Sequence, residues 1–190
     1  PLVLPRIRSL LPYLIKQGPL VHRWLTRQDI LAVAGLSHLE NPYTELVAWA
    51  LAPSTHPETA TRRQRAWLRI LHLDNCVDLS CPALPRMQVA TADGIPDIIL
   101  EYPNCVLVVE AKTKTPEHKA PSGLAQTVAY AKSVRNRLVL ADSTAVHLIF
   151  LTRDGHLAKS SDAIPTTFLR LVLALAMEIS PDELPPDLRW

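Results

Sequence analysis

The chain has 190 residues, of which 48% are hydrophobic and 20% are charged, and its formal net charge is +2. This length fits one domain with its own core, and this composition excludes a mainly disordered chain. The glycines, at positions 18, 35, 94, 123 and 155, cannot form G-x-G-x-x-G or G-x-x-x-x-G-K-[ST], which excludes the common dinucleotide and P-loop phosphate-binding motifs. No apolar run approaches the roughly 20 residues of a membrane-spanning helix, so we expect no membrane segment.

The cysteines and the charge distribution indicate the setting in which the chain works. Cys76, Cys81 and Cys105 are too few for a disulfide framework, and their odd number predicts a reducing, cytoplasmic environment. Basic segments at 1–37 and 113–140 flank an acidic middle, a pattern compatible with a metal site in a surface that accepts phosphates. Each basic segment is equally compatible with an ordinary solvated face. The chain does not begin with methionine, so we expect it to belong to a longer protein.

The first third of the chain is predicted to be helical. Apolar spacing predicts helices over 20–34, 44–51 and 58–73, and prolines separate them. The pair Asn41-Pro42 marks the start of the second helix, because proline is favoured in the first turn.

After residue 86 the apolar pattern shortens and becomes rich in Val and Ile. Three consecutive antiparallel strands are predicted over 87–92, 96–101 and 105–111, separated by the turn pairs Asp93-Gly94 and Pro103-Asn104.

The remainder of the chain alternates between helical and strand patterns. A helix is predicted over 122–137, a fourth strand over 146–151, a last apolar helix over 164–179, and an extended tail over 180–190. The predicted fold class is therefore α/β (α+β): a central mixed sheet of about four strands in the order β-β-β-α-β, flanked by helices, with extra N-terminal helices.

Asp97 and Glu110 form the most informative pair of acidic residues. If Pro103 and Asn104 make a tight turn, Asp97 lies directly opposite Glu110 on one sheet face, with Cβ atoms about 5 Å apart. A bulge in the turn would shift this register. Two facing carboxylates repel each other, and a fold that keeps them usually supplies a cation.

Oxygen ligands at this distance suit Mg²⁺ or Mn²⁺. The backbone carbonyl of Ala111 is able to join the coordination, and Lys112 projects from the same face as Glu110. Its ammonium group can orient a water molecule or stabilise negative charge on a phosphate. The alternative is a common cross-strand pair of a carboxylate and a lysine on a wet face, with no metal.

These residues resemble the signature of the PD-(D/E)-x-K nuclease superfamily. Pro96-Asp97, twelve intervening residues and Glu110-Ala111-Lys112 match the motif, and the predicted β-β-β-α-β order with a preceding helix matches that superfamily's core. Gln126 and Tyr130 resemble the Q-x-x-x-Y motif that many members carry on the helix after the third strand, where the two side chains share one face. Such a pair is also common as a simple neighbour contact within a helix.

The segment from Glu40 to Leu51 resembles the opening helix of some restriction-type and phage-defence members. In that pattern an acidic residue four positions before Ser or Thr contributes to the metal site, which favours Glu40, since Thr44 follows it. Glu45 stays open as the alternative. The family's glycines after the histidine are missing here, so no role is carried over to His56.

Two other groups of residues bear weaker patterns. His72, Cys76 and Cys81 have a spacing that resembles a distorted zinc ligand set without the further partners that such sites show. His118 lies in a polar segment after Lys112, which either contacts phosphates or is simply solvated.

The resemblance implies a metal-dependent nuclease that hydrolyses phosphodiester bonds through an activated water. DNA is the favoured substrate, and RNA cleavage or a non-catalytic nucleic-acid-binding or protein-interaction module on the same fold are the alternatives. It implies Mg²⁺ or Mn²⁺ held by Asp97, Glu110, Ala111 and Glu40, with catalytic contributions from Lys112, Gln126 and Tyr130. We expect one domain with its core at about 38–151, a helical extension at 1–37 and a helix and tail at 164–190, and a homodimer or further domains are possible.

Overall fold

The computed structural model describes residues 40–53, 57–113, 117–153 and 155–178. These residues form four helices and five strands: α1 (Glu40–Leu51), α2 (Pro57–Ile70), β1 (Arg86–Met87), β2 (Ile98–Glu101), β3 (Cys105–Lys112), α3 (Gln126–Arg137), β4 (Ala145–Thr152), β5 (Ala163–Thr167) and α4 (Phe168–Ala176). The helix expected at 20–34, the extension at 1–37 and the tail at 180–190 lie outside the described residues. No described helix has both the length and the apolar character needed to cross a membrane.

The strands form a single mixed sheet in the order β1-β2-β3-β4-β5. β1 and β2 are antiparallel, as are β2 and β3, whereas β3, β4 and β5 run parallel to one another. All eight residues of β3 are buried, which is typical of a central strand covered on both faces. The predicted α/β class and the β-β-β-α-β order are therefore confirmed for the segment from β1 to β4.

The helix predicted over 164–179 is partly wrong, because its first residues form a fifth strand. Ala163–Thr167 pairs in parallel with β4, and α4 begins only at Phe168. Pro165 and the two threonines after it disfavour a helix interior, which explains the strand. Thr167 then acts as the N-cap of α4, since its hydroxyl accepts the backbone N–H of Arg170 at 3.2 Å.

The first predicted strand, over 87–92, is also corrected. β1 covers only Arg86–Met87, because Gln88 has a φ of 50° and leaves the extended conformation. A tight turn follows, in which Thr91 and Gly94 exchange backbone hydrogen bonds of 2.7 and 3.4 Å. Gly94 has a φ of 136°, a conformation that side chains rarely permit.

The two helices before the sheet begin and end where proline and a left-handed residue require it. Pro42 lies in the first turn of α1 and Pro57 opens α2, positions where proline costs no hydrogen bond. α2 is terminated by His72, whose φ of 58° is left-handed. The N–H of Leu73 then donates to the carbonyl of Leu68 at 2.8 Å and closes the helix end.

The sheet separates two apolar clusters. One face packs against α1, α2 and α4 through side chains that include Trp67, Leu107, Val109, Ile149 and Leu171. The other face packs against α3 through a smaller cluster that includes Ile99, Val106, Val108, Tyr130, Val134 and Phe150. Alternation along a strand therefore determines which helices each side chain faces.

Candidate functional site

The β2–β3 hairpin has the register that the sequence predicts. Ile98 pairs with Val109, and the N–H of Tyr102 donates to the carbonyl of Cys105 at 2.9 Å across the turn. Continuing the ladder by one position places Asp97 opposite Glu110. This position alternates with the hydrogen-bonded pairs, so the two side chains belong to the closer type of cross-strand neighbour.

Pro96 affects the next position of the ladder. The same register places Pro96 opposite Ala111, in a pair that would otherwise exchange two hydrogen bonds. Proline has no N–H, so the ladder cannot supply a donor to the carbonyl of Ala111. The N–H of Ala111 donates instead to Oδ2 of Asp97 at 2.7 Å. The Pro-Asp pair thus ends the ladder and brings a carboxylate and a backbone carbonyl together.

Asp97, Glu110 and Lys112 belong to the sheet face covered by α3. Ile99 and Val108, two residues from Asp97 and Glu110 respectively, lie in the cluster on that face. Nζ of Lys112 lies 2.6 Å from Oε1 of Glu110, and these side chains are only 8% and 2% exposed. With the half-buried Asp97, the group has two carboxylates and one ammonium, a formal net charge of one negative.

α3 adds Gln126 and Tyr130 to the same face. Nε2 of Gln126 donates to the hydroxyl of Tyr130 at 2.6 Å, which confirms that the two side chains share one helical face. Burial raises the pKa of the Tyr130 phenol, the charge of Glu110 raises it further, and Lys112 opposes that effect. Because burial favours the neutral phenol, the hydroxyl keeps its hydrogen and can donate a hydrogen bond to a ligand.

The segment before Asp97 is attached to α3 at several points. A Cβ added to Gly94 would lie 2.8 Å from Cε1 of Tyr130, so this backbone approaches the ring too closely for any side chain. The hydroxyl of Ser133 donates to Oδ2 of Asp93 at 2.5 Å. Arg137 donates to the carbonyl of Ala90. The sequence identified Asp93-Gly94 only as a turn, whereas the structure shows that the pair joins the turn to α3.

The acidic residues of the opening helix belong to α1. Glu40 is the first residue of α1, and α1 packs on the sheet face opposite α3. The face of α1 that carries Thr44, Val47 and Leu51 is buried, as the helical spacing predicts. Glu45 is half-buried. The choice between Glu40 and Glu45 as the additional acid stays a prediction.

One residue close to the site was not singled out from the sequence. Glu117 is only 1% exposed, and its carboxylate accepts hydrogen bonds from Thr127 in α3 and from Lys159 in the β4–β5 segment. In the sequence it follows Lys112 closely, within a polar segment that is typical of a solvated loop. One sequence signal could have indicated such a partner: Ala125, the N-cap residue before α3, has no side chain that can cap the helix.

The weaker candidates are not supported. Cys76, Cys81 and His72 are exposed, and His72 serves to end α2. Among the described residues, no group of three or more His, Cys, Asp or Glu side chains is arranged to hold a metal ion. His118 is exposed, and its carbonyl accepts the N–H of Gln126 at 3.1 Å.

The residues at the end of β3 nevertheless fit a hard divalent cation with few protein ligands. Asp97, Glu110 and the carbonyl of Ala111 supply only oxygen, and Mg²⁺ characteristically takes one or two carboxylates and keeps several waters. The net negative charge of the group favours a cation. Lys112 is the cation that contacts Glu110 in the structure, and a metal would share this carboxylate with it.

Comparison with known proteins adds no assignment. The chain matches no protein-family model, no curated protein and no solved structure. The residues themselves therefore carry the functional argument.

Proposed function

We propose that the chain is a metal-dependent nuclease with a restriction-endonuclease-like fold, which hydrolyses phosphodiester bonds of DNA. The observation that carries this proposal is the group formed by the buried pair Glu110 and Lys112 and the half-buried Asp97 at the end of β3, with Gln126 and Tyr130 on the helix above the same face. A motif match by itself would be weak. The support comes from the register, which places Asp97 opposite Glu110 and Pro96 opposite Ala111, and from the contact of Gln126 with Tyr130 on α3.

Each side chain has a distinct role in this proposal. Asp97, Glu110 and the Ala111 carbonyl hold Mg²⁺ or Mn²⁺, which when bound supplies a polarised phosphate and a more acidic water. Lys112 stabilises the negative charge that develops on the phosphate. The hydroxyl of Tyr130 donates a hydrogen bond to a phosphate oxygen, and Gln126 fixes the direction of that hydroxyl. Glu40 is the proposed additional acid.

A second candidate is a non-catalytic module that binds nucleic acid or protein. It is supported by the ion pair between Lys112 and Glu110, since a lysine at 2.6 Å already neutralises one carboxylate without a metal. A protein that needed the group only for structure would have the same pair. The two functions differ in whether a divalent cation binds and whether a phosphodiester bond is cleaved.

The decisive experiment compares the wild type with Asp97→Asn and a matched control, Asp78→Asn. Asparagine at 97 keeps an oxygen that can accept the Ala111 N–H but removes the charge. Asp78 is exposed and lies outside the site: its backbone N–H donates to the side chain of Asn104, at the turn end of the hairpin. Each protein is incubated with labelled single-stranded DNA, double-stranded DNA and RNA in Mg²⁺, Mn²⁺ or EDTA, and its melting temperature is measured under the same conditions.

We expect cleavage of DNA by the wild type and by Asp78→Asn, dependent on the cation and absent from Asp97→Asn. Mn²⁺ should raise the melting temperature of the first two proteins only, because a ligand that binds only the native state stabilises it. Preferential cleavage of RNA would change the substrate and keep the chemistry. Binding of nucleic acid without cleavage in any cation, with equal melting shifts in all three proteins, would establish the non-catalytic module.

A further inference from the structure

Glu117 is a buried, charged group that the proposed chemistry does not use. Its Oε1 accepts the backbone N–H of Thr127 at 2.8 Å and the hydroxyl of Thr127 at 2.7 Å. Its Oε2 accepts the backbone N–H of Lys159 at 2.6 Å. One carboxylate thus receives three hydrogen bonds from two segments that are distant in sequence.

These hydrogen bonds favour the ionised carboxylate. Burial alone would raise the pKa of Glu117, but the hydrogen bonds from Thr127 and Lys159, together with the nearby backbone N–H of Ser160, outweigh it and lower the pKa below its ordinary value of 4.5. The carboxylate is therefore charged at neutral pH, and each of its oxygen atoms acts only as an acceptor.

The two segments that Glu117 joins both border the candidate site. Thr127 is the second residue of α3, directly after Gln126, and the carboxylate supplies the cap that Ala125 lacks. Lys159 belongs to the segment that follows β4, whose last residue, Thr152, pairs with Lys112. One side chain consequently connects the start of α3 to the chain that leaves the strand beside Lys112.

We propose that Glu117 is a positioning residue, which holds the first turn of α3 and the β4–β5 segment in register so that Gln126 and Tyr130 stay over Glu110 and Lys112. This inference rests on the proposed function. Other ionisable side chains on the same segments include His118 and Lys119 beside Glu117, those of Tyr130, Lys132, Arg135 and Arg137 on α3, and those of Arg153, His156, Lys159 and Asp162 between β4 and β5. Glu117 differs from these residues because its carboxylate accepts hydrogen bonds from both α3 and the β4–β5 segment.

The first test requires no activity and uses Glu117→Gln. A glutamine presents an acceptor to one segment but an N–H₂ donor to the other, where it meets backbone N–H groups, so one of the two connections must break. Hydrogen exchange is measured along the whole chain, with Leu175→Ala as the control for lost stability. Leu175 is buried in α4 on the opposite sheet face.

We expect Glu117→Gln to accelerate exchange in 117–128 and 155–161 well beyond other segments, whereas Leu175→Ala accelerates exchange in α2 and α4. Uniform acceleration across the chain in Glu117→Gln would overturn the proposal. The difference in unfolding free energy between wild type and Glu117→Gln should persist at neutral pH and shrink as the pH falls below 4.5 and through the lowered pKa of the native state. A difference that does not change over this range would also count against it.

The second test uses cleavage at a temperature where both variants are folded. Glu117→Gln should lower kcat on the order of tenfold to a hundredfold with a smaller change in KM, because misplacing catalytic groups costs rate more than binding. Leu175→Ala should stay within a factor of about two of wild type if stability alone does not control the rate. Equal losses in both variants would overturn the positioning role. Absence of cleavage by the wild type would refute the nuclease instead, and hydrogen exchange would then decide whether Glu117 couples the two segments.

Discussion

The positive charge of Lys112 offsets part of the negative charge of Asp97 and Glu110 at the site. Lys112 is 6% exposed and pairs with Glu110, while Asp97 stands across the ladder from the same carboxylate. An ammonium group in this position offsets part of the repulsion between the two acids. In the proposed metal site the lysine would also compete with the cation for Glu110, so we expect it to stabilise the metal-free protein and to limit the affinity for cations.

This competition predicts opposite effects of Lys112→Met. Without a divalent cation the variant should lose about 3 kcal/mol of unfolding free energy, because removal of one partner leaves a buried charge uncompensated. In Mn²⁺ its melting temperature should rise by more than that of the wild type, since the carboxylates are no longer shared with an ammonium group. Cleavage should fall by about two orders of magnitude. Thermal unfolding in EDTA and in Mn²⁺ measures the first two effects.

Lys119→Met is the matched control, because Lys119 is exposed and outside the ion pair. It should leave both melting temperatures close to those of the wild type. If Mn²⁺ raises the melting temperature of Lys112→Met by no more than it raises that of the wild type, the lysine does not compete with a cation at Glu110.

At the scale of the elements, α1 is oriented as its sequence pattern predicts, but its part in the site is a separate question. Thr44 and Leu51 are 2% and 0% exposed, so the helix turns this face inward, and Glu40 continues the same face. Glu45 is rotated by about 100° from Thr44. Since α1 packs on the face opposite α3, an acid of α1 can reach the group at the end of β3 only from the helix terminus.

This geometry predicts that Glu40→Gln depresses cation-dependent cleavage strongly, whereas Glu45→Gln has a mild effect. Both variants should remain folded, because each keeps the size and polarity of the side chain. Initial cleavage rates and circular dichroism measure the two properties. The reverse order of rates would assign the acid to Glu45, and unchanged rates in both would remove α1 from the site.

The hairpin was predictable because its evidence is local. A tight turn at Pro103-Asn104 fixes the register, and alternation then places Asp97 and Glu110 on one face. The first strand and the last helix were less predictable. Gln88 takes a left-handed φ without being glycine, and β5 is stabilised by pairing with β4, which no local pattern reveals.

The contacts that surround the site were least accessible from the sequence. Glu117 bonds to Lys159, and Ser133 bonds to Asp93, so both contacts join segments about 40 residues apart. Neither pair lies at a helical or strand spacing, and both depend on how α3 settles on the sheet. Motif spacing identified the residues proposed for the chemistry but not the residues that hold them.

For the whole molecule, the sheet acts as a rigid base for chain segments that meet at one end of it. β3 is buried along its full length and carries Glu110 and Lys112 at its carboxyl end. The segment before β2 and the start of α3 reach the same end through Asp97 and Gln126. The candidate site is thus built from separate parts of the chain on the most buried strand, which favours a precise geometry.

Pro165 has a consequence for how the whole molecule behaves in concentrated solution. It lies in the middle of β5, the last strand of the described sheet, opposite Phe150 of β4. Proline is tolerated in an edge strand where its missing N–H would point away from the sheet. A second strand that docked along β5 would find no donor at this position, so the proline opposes growth of the sheet from one molecule to the next.

Pro165→Val should therefore leave the fold and cation binding intact but increase self-association at high concentration. Valine restores a backbone donor and has a high preference for strands. Light scattering against concentration measures the effect, with Pro121→Val, in an exposed segment before α3, as the control. Equal scattering by the two variants would show that this edge is protected by something other than its proline. If the expected difference is found, a single missing hydrogen keeps the sheet from acting as a template for polymerisation.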